Sequence, residues 1–180
     1  MKILKINQVK MPFYIKGILL LALAVVFSSC ESTNPVDPEN PITMDIMEIV
    51  DESADVSTLK TAIDVADLRT TLQGEGPFTV FAPADAAFQA LLDTDPSWNT
   101  IDDIPLATLT AVLEHHVVAA RVFSTDLVSG TVATLNGNIT IDAENLRITD
   151  ASGATANIAS PVNVLATNGV IHVIDKVLLP

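Results

Sequence analysis

FTVFAPADAAF, running from Phe78 to Phe88, switches hydrophobic period in its middle and so dictates what packs on either side of it. Phe78, Val80 and Ala82 alternate with Thr79 and Phe81, the pattern of a short, largely buried strand. Pro83 stops that strand. Asp85 is then placed to cap a helix carried by the helix formers Ala86, Ala87, Gln89, Ala90, Leu91 and Leu92.

Upstream of this strand the pattern is helical. Thr43 can cap a segment in which Ile46, Ile49 and Val50 fall at helical spacing. Asp55 or Ser57 opens a second helix, apolar at Leu59, Ile63, Ala66 and Leu68 and polar at Lys60, Asp64, Asp67 and Arg69. Gly74 to Pro77 breaks the pattern. Downstream, Pro105 suits the first turn of a helix whose face is Leu106, Leu109, Val112, Leu113 and His116. From Thr131 the period becomes two, with turn pairs at Asn136-Gly137, Glu144-Asn145, Ser152-Gly153 and Asn168-Gly169. The strands expected between them are ITI, LRIT, ATANI, VNVLA and VIHVIDKVLL. Helices first and strands after, with one strand before the middle helices, give an α+β domain.

Three segments carry a family resemblance. FTVFAPADAAF, HHVV at His115 to Val118 and NGVIHVIDKVLLP at Asn168 to Pro180 resemble, in order and separation, the signatures of the fasciclin (FAS1) domain. The matching positions are Phe78, Thr79, Phe81, Ala82, Pro83, Asp85, Ala87, Phe88, His116, Val117, Asn168, Gly169, His172 and Asp175. Ala84 stands where the family usually has threonine or serine. In the family's LxxVLxYHVV pattern Leu109, Val112, Leu113, His116, Val117 and Val118 match, while His115 replaces the tyrosine. The resemblance implies a β-sandwich wedge with helices packed along it, and signature residues that mainly maintain the fold. In animal members the tyrosine-histidine region is associated with integrin-dependent adhesion; with His115 in place of the tyrosine, His116 is read as a core residue.

Residues 1–29 contain Lys2, Lys5, Lys10 and Lys16, no acid, and the apolar run Gly17 to Phe27. A positive region, a short apolar core and small residues make an export signal, starting at Met1 or Met11. Eleven apolar residues fall short of the roughly 20 that span a bilayer. The end of the run, FSSC, resembles a bacterial lipoprotein cleavage box with Cys30 as lipid acceptor. Cys30 is the only cysteine, so no internal disulfide is open to it; the alternative is a free thiol after ordinary signal cleavage. Residues 30–41, with three prolines and no apolar period, read as a tether reaching roughly 30 Å at about 3.1 Å per residue. Residues 42–180 remain for the fasciclin-like domain.

Loss of residues 1–29 leaves five basic against 22 acidic residues, a formal charge of −17. Such a surface repels phosphate backbones, and no nucleic-acid partner is expected. The densest acidic stretch, Asp93, Asp95, Asn99, Asp102 and Asp103, fails as an EF-hand loop. Trp98 falls where glycine is required and Ile104 where the bidentate glutamate belongs. A looser calcium site competes there with acids that favour the next helix N-terminus. Three histidines without carboxylates at ligand spacing do not make a metal site.

GxSxG, a Walker lysine loop and HExxH are missing, and Thr79 stands where a dinucleotide motif begun at Gly74 would need its third glycine. The chain reads as a non-enzymatic module without cofactor, exported and lipid-anchored to the bacterial envelope at the outer membrane. Its expected partner is a protein or glycan at the cell surface, with Trp98 and His115 as candidate contacts. An envelope scaffold bound to another envelope protein, or an envelope hydrolase acting on glycans or esters, are the alternatives.

Overall fold

A computed structural model describes residues 42–180. The export signal, Cys30 and the tether lie outside the described residues. The described chain begins with helix α1 (Ile46–Glu52), which starts two residues later than Thr43 would have started it. Asp45 is the cap: its Oδ1 accepts from Glu48 N at 2.8 Å while Glu48 Oε2 accepts from Asp45 N at 2.8 Å. This reciprocal box satisfies two of the amides a helix start leaves unpaired. A 3₁₀ turn (Ala54–Val56), α2 (Ser57–Val65) and the short α3 (Arg69–Leu72) follow.

The signature stretch forms β1 (Phe78–Pro83) and α4 (Asp85–Leu92) as expected. A second 3₁₀ turn (Ile101–Asp103) leads to α5 (Leu106–His115), with Pro105 at the N-cap rather than in the first turn. The remaining strands are β2 (Val117–Val118), β3 (Gly130–Ala133), β4 (Asn138–Asp142), β5 (Arg147–Thr149), β6 (Thr155–Ala166) and β7 (Gly169–Ile174). The two expected strands ATANI and VNVLA are one strand, β6. Residues 160–163 bulge out of it opposite His172, between the pairs Ala159 with Val173 and Val164 with Ile171. The expected last strand stops at Ile174: Asp175 N still donates to Asn157 O of β6 at 3.2 Å, and farther on Leu178 N and Leu179 N donate to the side chains of His116 and Asp150.

The α+β class is as expected, but the strands run in one order, β2-β1-β7-β6-β5-β4-β3, rather than as the two separate sheets of a sandwich. β1 and β7 pair in parallel and every other pair is antiparallel. The long β6 makes this continuity: its first half pairs with β5 and its second mainly with β7. The two ends of the order approach each other where Leu135 N, in the β3–β4 turn, donates to Val117 O of β2 at 2.8 Å. The sheet is nearly closed.

Alternation along β1 divides the core. Val80 and Ala82 face the helices and join Ile46, Leu59, Phe88 and Leu109; Phe81 faces the other way and joins Ile139, Ile148 and Ile174. Because both faces are covered, the parallel pair of β1 and β7 is buried except at the half-buried Phe78 that begins β1, as parallel strands require.

Candidate functional site: the buried signature residues

The three signature segments are far apart in sequence and adjacent in space. β1 pairs with β2 through Thr79 to Val118 and Val80 to Val117, and with β7 through Thr79 to Val170 and Phe81 to His172. Most of their side chains point into the molecule, and their polar atoms are engaged there.

His116 ends α5 and is 2% exposed. Its Nδ1 lies 2.6 Å from Val112 O and its Nε2 accepts from Leu178 N at 2.9 Å. A carbonyl only accepts and an amide N–H only donates, so the neutral Nδ1–H tautomer satisfies both. Burial pushes its pKa down to about 4; the Val112 carbonyl and Asp150 pull upward and His115 pushes further down. The ring ties the end of α5 to the C-terminal segment.

His172 is fully buried and stacks on Phe81 with ring centroids 5.7 Å apart. Its Nε2 lies 2.9 Å from Val122 O and its Nδ1 accepts from Asn163 N at 3.3 Å, which selects the other neutral tautomer. Burial lowers its pKa as well. His115, expected as a candidate partner contact, presents no surface: it is fully buried, with Nδ1 2.5 Å from Asn136 O beneath the β3–β4 turn. The helix end turns it inward, and its Nε2 has no hydrogen-bond partner among the described residues. Trp98 is half-buried against the helix-side core.

Asn168 and Gly169 explain each other. Asn168 Oδ1 accepts from Ile46 N at 3.0 Å, and its Nδ2 donates to Leu72 O at 2.7 Å and Gly74 O at 2.9 Å. One amide thereby joins α1, the end of α3 and the approach to β1. A Cβ on Gly169 would collide with the Phe78 carbonyl and come within 2.7 Å of Ile46 Cδ1, so only glycine fits. Thr79, fully buried, donates from Oγ1 to Ala120 O at 2.6 Å and accepts from Val122 N at 2.9 Å. Asp175 accepts from Asn157 N at 2.7 Å and Asn157 Nδ2 at 2.6 Å, pinning β7 to β6.

Asp85 departs from its expected role. The N-cap of α4 is Ala84, and the Asp85 carboxylate reaches Thr58 N and Ser57 Oγ at the start of α2. In the acidic loop, Asp95 accepts from Ser97 N at 2.9 Å and Ser97 Oγ at 2.7 Å, and Asp103 accepts from Asn99 N and Thr100 N. These bonds hold both carboxyls below the usual range. Among the described residues no group of three or more histidine, cysteine, aspartate or glutamate side chains is placed to hold a metal ion.

Two polar residues escaped the sequence reading. Asp150, buried, accepts from Ser152 Oγ, Ala154 N and Leu179 N, and so fixes the C-terminal segment. Asn163, at φ +56°, accepts from Ser124 N at 2.7 Å and donates to Ser124 Oγ at 2.7 Å. The signal for the second was an asparagine two residues after Pro161, since asparagine tolerates the left-handed region better than most residues.

Residues 54–180 match the fasciclin domain. Protein sll1483 of Synechocystis is 38% identical over 143 residues, 76% of this chain and 74% of that one. A second Synechocystis protein, sll1735, is 39% identical over 137 residues, 74% of this chain and 96% of its own length. Transforming growth factor-beta-induced protein ig-h3 of Sus scrofa is 32% identical over 143 residues, which cover 77% of this chain and 20% of that protein. Among solved structures, a FAS1 domain pair from the insect cell adhesion molecule Fasciclin I is similar with a TM-score of 0.63 at 22% identity, covering 76% of this chain and 51% of that one.

Proposed function

The chain belongs to the fasciclin domain family, and from that premise we propose that it is a binding module displayed on a bacterial envelope for adhesion or for holding an extracellular protein or glycan. The observation that carries this reading is the family match itself, taken with the adhesion molecule named among the solved relatives. It is supported by how the signature side chains are used. His116, His172, Asn168 and Thr79 spend their polar atoms on the fold, which favours recognition by surface shape over chemistry on a substrate. Apolar side chains that remain exposed, Leu106 at 57% and Leu135 at 42% among them, are available for contact.

In the same proposal the protein is exported through its N-terminal signal, lipidated at Cys30 and held at the outer membrane, with residues 31–41 as spacer. More than one acyl chain gives stable anchoring. The test is protease shaving of intact cells beside lysed cells, following the domain by antibody, with Cys30→Ser as anchoring control. Loss of the domain from intact cells supports display for adhesion. Protection until lysis overturns it and leaves a scaffold binding a partner within the envelope. Cys30→Ser protein that stays in the membrane fraction overturns the anchor.

A further inference from the structure

The sheet fails to close along β2 and β3, and a cavity of about 210 Å³ lies there. Val118 of β2 and Val132 of β3 line it from opposite ends of the strand order, and the segment 119–129 roofs it. Its inner wall is core: Phe81, Val118 and Ile141 are between 1% and 5% exposed. Its mouth is open, with Val128 77% exposed beside the exposed Asp126.

The cavity offers a ligand almost no hydrogen bond. The Thr79 hydroxyl, its one polar inner group, is already engaged by Ala120 O and Val122 N. The roof is preformed: besides Thr79, Asn163 holds Ser124, and Ser129 Oγ accepts from Ala143 N. An apolar cavity of about 150 Å³ stays dry and takes benzene, so this one has room for about eight carbons. The only charge on the lining is the Asp126 carboxylate at the mouth, on a chain of net charge −13, which disfavours an anionic head group.

We propose that the gap between β2 and β3 binds a neutral amphiphile through a single aliphatic chain of about eight carbons, with its head at Asp126. This is independent of the adhesion reading and stands or falls separately from it. It rests on a cavity, a preformed roof and an unpaired seam between strands.

The test is titration of the ¹⁵N-labelled full chain with 1-octanol and, separately, with octanoate, read as amide shifts. Octanol is expected to give saturable shifts clustered at Phe81, Val118, Val122, Val132 and Ile141, with octanoate at least tenfold weaker. Asp126→Asn should narrow that difference. Ile141→Phe fills the cavity from its inner wall and Val132→Phe from its rim; each should abolish the saturable shifts. The partly buried Val132 position keeps the test usable if the inner variant does not fold. Octanol shifts without response to phosphatidylcholine vesicles assign a free amphiphile, and shifts with both assign an acyl chain drawn from a bilayer. Octanol shifts that do not saturate, scatter over the molecule or survive in Val132→Phe overturn the site. Equal binding of octanoate and octanol overturns the neutral head group.

Discussion

Asp85 Oδ1 accepts the backbone N–H of Thr58 at 2.8 Å, so the first residue of α4 caps the start of α2. Oδ2 adds a bond from Ser57 Oγ at 2.8 Å, and α2 has no side-chain cap from its own N-cap residue, Val56. Asp85→Ala is expected to cost about 1–2 kcal/mol in urea unfolding, with Asp85→Asn, which keeps an acceptor, costing less. Burial pushes the Asp85 carboxyl up, but the bonds from Thr58 and Ser57 outweigh it and leave the pKa lowered. The stabilisation is therefore present above the unfolded carboxylate pKa of about 3.9 and lost as pH falls below it. Unfolding midpoints for both variants equal to that of the native chain would show the cap to be inert.

His116 predicts a second pH dependence, in a different window. Its native pKa of about 4 lies below the ordinary 6.5, so the unfolded chain takes up the proton first as pH falls. Its contribution is complete above pH 6.5 and drains away toward pH 4, on the order of 3 kcal/mol in all. His172, also lowered by burial, adds to the same slope. His116→Ala should lower the melting temperature at neutral pH, because Leu178 N–H loses its acceptor in the core. His116→Gln should likewise melt lower, but with a shallower fall between pH 7 and 4.5. A native-like slope in that variant would assign the pH response elsewhere.

How far the sequence could be read follows from the range of the forces involved. The strand-to-helix switch at Pro83 was legible because period and helix propensity are local. The merger of two expected strands into β6 was not, since residues 160–163 read as a break until β7 pairs on both sides of them. β2 has two residues and exists only through β1, 35 or more positions away in sequence. The same holds for side chains: Asp85 looked like a local cap, and only the packing of α2 against α4 gives it a different helix to serve. His116 was legible as a core residue, but His115 read as a surface contact, because only the β3–β4 turn, distant in sequence, covers it and buries it as deeply as its neighbour.

Gly169 and Gly153 make a matched pair. A Cβ on Gly169 meets the Phe78 backbone inside the buried β1–β7 pair, where nothing can move aside cheaply. At Gly153, φ is +84° and the space is open. Gly153→Ala is therefore expected to cost about 1 kcal/mol, from backbone strain alone. Gly169→Ala should cost more than about 3 kcal/mol or abolish soluble expression. Equal urea midpoints for the two variants would mean that the close approach of β1 and β7 is not enforced.

Thr79 tests what holds the 119–129 segment. Its hydroxyl is the only side-chain bridge from β1 to that segment among the described residues, donating to Ala120 O and accepting from Val122 N. Thr79→Val keeps the shape and removes both bonds, leaving an amide and a carbonyl short of a partner at a cost of about 1–3 kcal/mol. Thr79→Ser keeps both bonds and loses one methyl, so a purely packing role would make serine the costlier change and valine the milder. The expected order is the reverse. Hydrogen exchange separates the roles further: in Thr79→Val the Val122 amide should exchange faster than the strand amides of β7, because it loses its acceptor while the parallel ladder is untouched. Unchanged protection at Val122 would mean that the segment is held instead by His172 at Val122 O and Asn163 at Ser124.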